Sequence, residues 1–107
     1  MPASPDPPLD FPSGPWTGYW QRGRKKVPQD LELTFADGVV RGAGWDAEGE
    51  FVIKGSYDEA SGEVRWTRKY ADRASVRCRG FRDGRGIWGT CQGGVGVGGF
   101  HVWPLRP

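Results

Sequence analysis

From residue 15 onward, apolar and polar side chains alternate along the chain, and no window holds a helical period. Turn signals interrupt the alternation about every eight to twelve residues, a spacing typical of all-β sandwiches and barrels. The pattern predicts strands near 15–23, 29–36, 38–45, 50–57, 63–70, 75–81, 85–91 and 97–103. Asp37-Gly38 reads as a two-residue hairpin loop, which sets Phe35 opposite Val40, Leu33 opposite Gly42 and Leu31 opposite Gly44. Asp83-Gly84 reads the same way and sets Gly80 opposite Ile87 and Cys78 opposite Gly89. If Tyr57 faces Val64, then Gly55 faces Trp66 and Ile53 faces Arg68.

With that register the inward positions are Trp16, Trp20, Leu31, Leu33, Phe35, Val40, Phe51, Ile53, Trp66, Arg68, Tyr70, Val76, Cys78, Ile87, Phe100 and Val102. Bulky rings fall opposite glycines, Trp66 over Gly55 and Phe100 over Gly89. A narrow barrel fills its interior with this alternation of large and small residues. The expected fold is a small, eight-stranded, antiparallel up-and-down barrel, all-β, over residues 15–104. Residues 1–14 read as a proline-rich disordered tail and residues 105–107 as a short C-terminal tail.

Composition sharpens this picture. The chain has 18 Gly, six Trp, five Phe and three Tyr in 107 residues. Six of its nine prolines lie at or before Pro15, so the glycine excess belongs to the folded part. The net charge of +2, from 15 basic and 13 acidic side chains, does not demand a polyanion. No segment has the roughly 18 apolar residues of a membrane helix, and the N-terminus lacks the apolar run of a secretory signal. The expectation is a cytoplasmic protein without membrane contact, with Cys78 and Cys91 as buried thiols. The two cysteines share a face, offset diagonally, so a disulfide is geometrically open to them.

Gly94, Gly96 and Gly99 in "GGVGVGGF" spell G-x-G-x-x-G. A dinucleotide site needs a following helix and a distal acid, and "HVWPLRP" supplies neither. The glycines are read as a turn and the last strand.

Two short motifs resemble known families. "GPW" at Gly14–Trp16 resembles the G-x-W that opens the first lipocalin strand. "GSYDEASGEVRWTRKYADRAS", followed by "GFRDGRGIWGT", resembles the middle of avidin-like barrels. The resemblance spans about residues 14–104 and implies an eight-stranded meander barrel that binds rather than turns over a ligand. It also implies that Trp16 closes one barrel end, packed by Arg106. "WTGYWQRG" lacks the Asn-and-Ser set with which avidins hold biotin, and the short strands imply a narrow lumen.

Arg68 is the one charge among the inward positions. An unpaired buried guanidinium is costly, so it anchors an anionic ligand group or snorkels to the rim. A one-residue bulge after Ser61 would turn it outward. The leading expectation is non-catalytic binding of a small, mostly apolar ligand, with an anionic head, in the barrel mouth, by Trp20, Trp66, Arg68 and Tyr70. The alternative is a protein-interaction module or homodimer using an outer aromatic face of Trp88, His101 and Trp103. Outward Arg65, Lys69, Arg77 and Arg79, with Arg82 and Arg85 at the turn, offer a third surface for an anionic polymer. The near-neutral charge favours their pairing with acids over nucleic acid, and Trp88 is expected across from Arg79. No catalytic constellation, cofactor motif or metal-ligand spacing is present.

Overall fold

The computed structural model describes residues 11–93 and 96–105. Eight strands follow one another: β1 (Gly14–Arg22), β2 (Lys25–Ala36), β3 (Val39–Asp46), β4 (Gly49–Tyr57), β5 (Glu63–Tyr70), β6 (Val76–Asp83), β7 (Gly86–Gly93) and β8 (Gly96–Pro104). Each pairs antiparallel with the next, and β1 pairs with β8, which closes the barrel. Closure leaves no unpaired edge among the described strands to attract another chain.

The β2–β3 hairpin has the expected register, Phe35↔Val40, Leu33↔Gly42 and Leu31↔Gly44. Its loop is Asp37-Gly38, with φ of 52° and 80°. Both loop residues in such a turn need positive φ, which Asp tolerates and Gly prefers. The β4–β5 pairing is also as read, with Gly55↔Trp66 and Ile53↔Arg68.

The β6–β7 register differs from the expectation by two residues. The loop is Gly84-Arg85, flanked by Asp83↔Gly86, with the positive φ of 64° on Gly84. Gly80 therefore opposes Gly89 rather than Ile87, and Cys78 opposes Cys91 rather than Gly89. A shift of two keeps every side chain on its face, but it makes the cysteines direct cross-strand neighbours. They form a disulfide, not two thiols.

The inward set is buried, with Trp20 and Val76 only partly so. Val27, Gln29, Val64 and Cys91 join it. Ring-over-glycine packing is real at Gly55, where a Cβ would run into the Arg65 carbonyl and the Trp66 backbone. At Gly89 a Cβ would lie 2.7 Å from the Phe100 ring.

One end of the barrel is filled. Trp16, 1% exposed, donates its indole N–H to the Pro12 carbonyl at 2.8 Å. Phe11 is buried with its ring 5.2 Å from Phe35 and 5.0 Å from Tyr57. Phe35 also lies 5.7 Å from Trp16. Phe11–Ser13, assigned to the tail from composition, thus form part of the barrel's closed end, and β1 begins at Gly14. Arg106, expected to pack on Trp16, lies outside the described residues, as do Gly94 and most of the proline-rich segment. Gly99 belongs to β8.

Phe11→Ala should destabilise the fold by about 3 kcal/mol, the lower part of the usual range for a buried ring. A urea melt against the wild type measures this. An unchanged midpoint would mean that the ring contributes nothing to closing that end.

Candidate functional site

The other end of the barrel opens into a cavity of about 390 Å³. Three of the four residues expected to bind a ligand line it: Trp20, Arg68 and Tyr70. Trp66 does not. It packs deeper in the wall, 5.6 Å from Phe100, and its indole nitrogen finds no acceptor among the described residues.

The cavity has two unlike sides. Val76, Cys91, Val97, Gly98 and Ala74 make one side, on β6–β8 and the loop before β6. Small residues here leave the space that rings occupy elsewhere in the barrel. The opposite side is polar and is organised by the β3–β4 turn. Asp46 Oδ2 accepts from the Trp20 indole N–H at 3.0 Å and from the Tyr70 hydroxyl at 2.6 Å. Its Oδ1 accepts the Glu48 backbone N–H at 2.7 Å, which fixes the turn. Burial, then the hydrogen bond to Asp46, pushes the Tyr70 phenol up to about 12, so it remains a donor.

A second tier lies above the first. Glu48 accepts from Arg22 at 2.8 Å and from Arg73 at 2.6 Å. Arg22 also sits 4.8 Å from the Trp20 ring centroid, and Arg73 sits 5.1 Å from that of Tyr70. Each rim arginine thus stacks on a ring that Asp46 holds.

Arg68 is 4% exposed. Its guanidinium donates through Nη2 to Gln29 Oε1 and lies 4.4 Å from the Phe51 ring centroid. It forms no ion pair among the described residues. Arg68 Nε and Gln29 Nε2 are buried without acceptors, a state that costs about 1–3 kcal/mol per group. Burial lowers the Arg68 pKa, while Tyr70 and Asp46 act in the opposite direction.

Sequence reasoning missed Gln29, Asp46, Glu48, Arg22 and Arg73. Two of these were readable, because Gln29 shares the inward parity of Leu31, Leu33 and Phe35, and Asp46 that of Val40, Gly42 and Gly44. Arg73 lies in a loop, where alternation carries no information.

The outer face brings Trp88, His101 and Trp103 together. His101 stacks on Trp88 at 3.6 Å and 10°, and Trp103 lies 4.8 Å from it. Tyr19 meets His101 edge-on at 5.9 Å. Trp88 is 48% exposed. Its neighbour on β6 is Phe81, not Arg79 as expected, because of the register shift; Arg79 lies over Phe81 instead. Glu63 accepts from both Arg79 and Arg65, at 2.6 and 2.7 Å, and those two bonds lower its pKa.

Among the described residues no helix is long and apolar enough to cross a membrane. Comparison with family models, curated proteins and solved structures returned no match.

Burial depresses the His101 pKa below 6.5, with Asp83 opposing the shift. The unfolded chain therefore takes up the proton first as pH falls, and stability drops from about pH 6.5 until the folded-state pKa is passed. NMR titration of the His101 ring should give a pKa below 6.5, and His101→Phe should remove this part of the stability profile. A pKa at or above that value would contradict the stacked, desolvated ring.

Proposed function

We propose that the protein binds, without catalysis, a small and mostly apolar ligand carrying an anionic head in the open end of the barrel. One observation carries the reading: a buried guanidinium with no ion pair among the described residues lines a cavity that is apolar on its facing side. An anion beside Arg68 would offset its desolvation. The β6–β8 side would take the apolar body, and Trp20 and Tyr70, fixed by Asp46, would form the walls. The cavity falls in the size range of small-molecule sites. The resemblance of "GPW" and the β4–β7 segment to lipocalin and avidin-like barrels supports the same use of the same end.

Octanoate is a suitable probe. It should perturb the Trp20 indole resonance in the full chain, and octanol should bind more weakly. Arg68→Met should weaken octanoate about tenfold or more, the scale of one lost charge-assisted contact. Ala74→Trp fills the mouth from an exposed loop and should block octanoate without touching the core. Binding of octanoate that survives both substitutions would remove Arg68 and the cavity from the mechanism.

A second reading uses the outer strip of Trp88, His101, Trp103 and Tyr19 as an isologous contact with a second copy, the commonest use of such a surface. The exposure of Trp88 at the edge of a stacked cluster favours it. Sedimentation should then show a concentration-dependent mass that Trp103→Ala abolishes. A monomer at every concentration would exclude it.

A further inference from the structure

The cavity has two cationic poles at different depths. Arg68 forms the inner one, and Arg22 with Arg73 forms the outer one. A column of rings connects them. The Arg73 guanidinium lies 5.1 Å from the Tyr70 ring, Tyr70 lies 5.3 Å from Phe51, and Phe51 lies 4.4 Å from the Arg68 guanidinium. A molecule lying along this column would meet a positive charge at each end and apolar surface between, with Tyr70 on one side and Val76 and Cys91 on the other.

The outer pole already holds a carboxylate, which belongs to the chain itself. Glu48 bridges Arg22 and Arg73, whose side chains are 46% and 41% exposed. Ion pairs this exposed add little net stability, so another carboxylate can take Glu48's place at small cost. The turn would not have to move, because its shape depends on the bond from the Glu48 backbone to Asp46 and not on the Glu48 side chain. Asp72 contacts Arg73 at Nε, 3.3 Å away, and leaves the Nη1 that Glu48 uses free for exchange.

Building on the binding role proposed above, we infer that the ligand class is an apolar dicarboxylate. One carboxylate sits on Arg68, and the other displaces Glu48 from Arg22 and Arg73. Glu48 is a built-in competitor for the outer pole: it lowers the affinity of a diacid, which must displace it, and leaves that of an acid with a single carboxylate untouched.

Octanoate and octanedioate, of equal chain length, separate the claims. Calorimetric titration of the full chain should show octanedioate binding about two- to fivefold tighter than octanoate, the scale of one exposed ion pair. Glu48→Gln should tighten octanedioate severalfold more than octanoate. The double variant Arg22→Met/Arg73→Met should weaken octanedioate more than octanoate and bring the two acids to the same affinity. All three positions lie at the rim, and an unchanged amide spectrum away from it shows that each variant is folded. Equal affinities of the two acids in the wild type, or an equal gain for both in Glu48→Gln, would overturn the dicarboxylate inference and leave the single-anion reading standing. Failure of both acids to bind would overturn the two together.

Discussion

An eight-stranded cylinder is too narrow to carry a large side chain at every inward position. The chain meets this constraint by setting rings against glycines, and the rest of the structure follows from where it stops doing so. Around Trp66 and Phe100 each ring rests on a glycine of the preceding strand, and both rings are buried. Toward the far end of β8 the inward position before Phe100 is Gly98, and the neighbouring wall offers only Val76 and the disulfide. Among the described residues nothing large fills that volume, and it remains a cavity. The glycine run that looks like a phosphate loop in sequence is, in β8, a place where a side chain is withheld.

The polar half of the mouth rests on one turn. Asp46 orients a tryptophan and a tyrosine from strands that are not its neighbours in sequence, and Glu48 gathers two arginines over those same rings. Two residues apart, the two carboxylates set the inner wall and the rim. This shared anchoring gives the site its definition in spite of its exposure. Each aromatic wall is hydrogen-bonded in place by Asp46, and for the binding role proposed above preorganisation of this kind lowers the cost of binding.

Strand parity was the most legible property of the sequence. Every residue assigned inward from Trp16 to Val102 faces inward, and the register of β2–β3 and β4–β5 could be counted from their turns. The β6–β7 hairpin shows the limit of that counting. "RDGR" permits either Asp83-Gly84 or Gly84-Arg85 as the loop. The two choices differ by two residues and so leave parity untouched, while they exchange every cross-strand partner. The disulfide and the Trp88–Phe81 pairing both depended on that choice. The candidate site was half readable. Trp20, Arg68 and Tyr70 follow from parity, but the partners that give them meaning converge from β2, from a turn and from a loop, and only closure of the cylinder brings those together. Phe11 lay beyond reach for a similar reason, since it is an isolated ring in a proline-rich stretch with no period to reveal it.

The packing of Phe11, Trp16, Phe35 and Tyr57 has a kinetic side. Among the described residues it makes the barrel a cul-de-sac, so that anything reaching Arg68 would leave by the doorway through which it came. If the chamber holds a ligand as proposed, arrival and departure share the mouth lined by Arg22, Glu48 and Arg73, and a change there alters how fast the chamber is filled and emptied as well as what it holds.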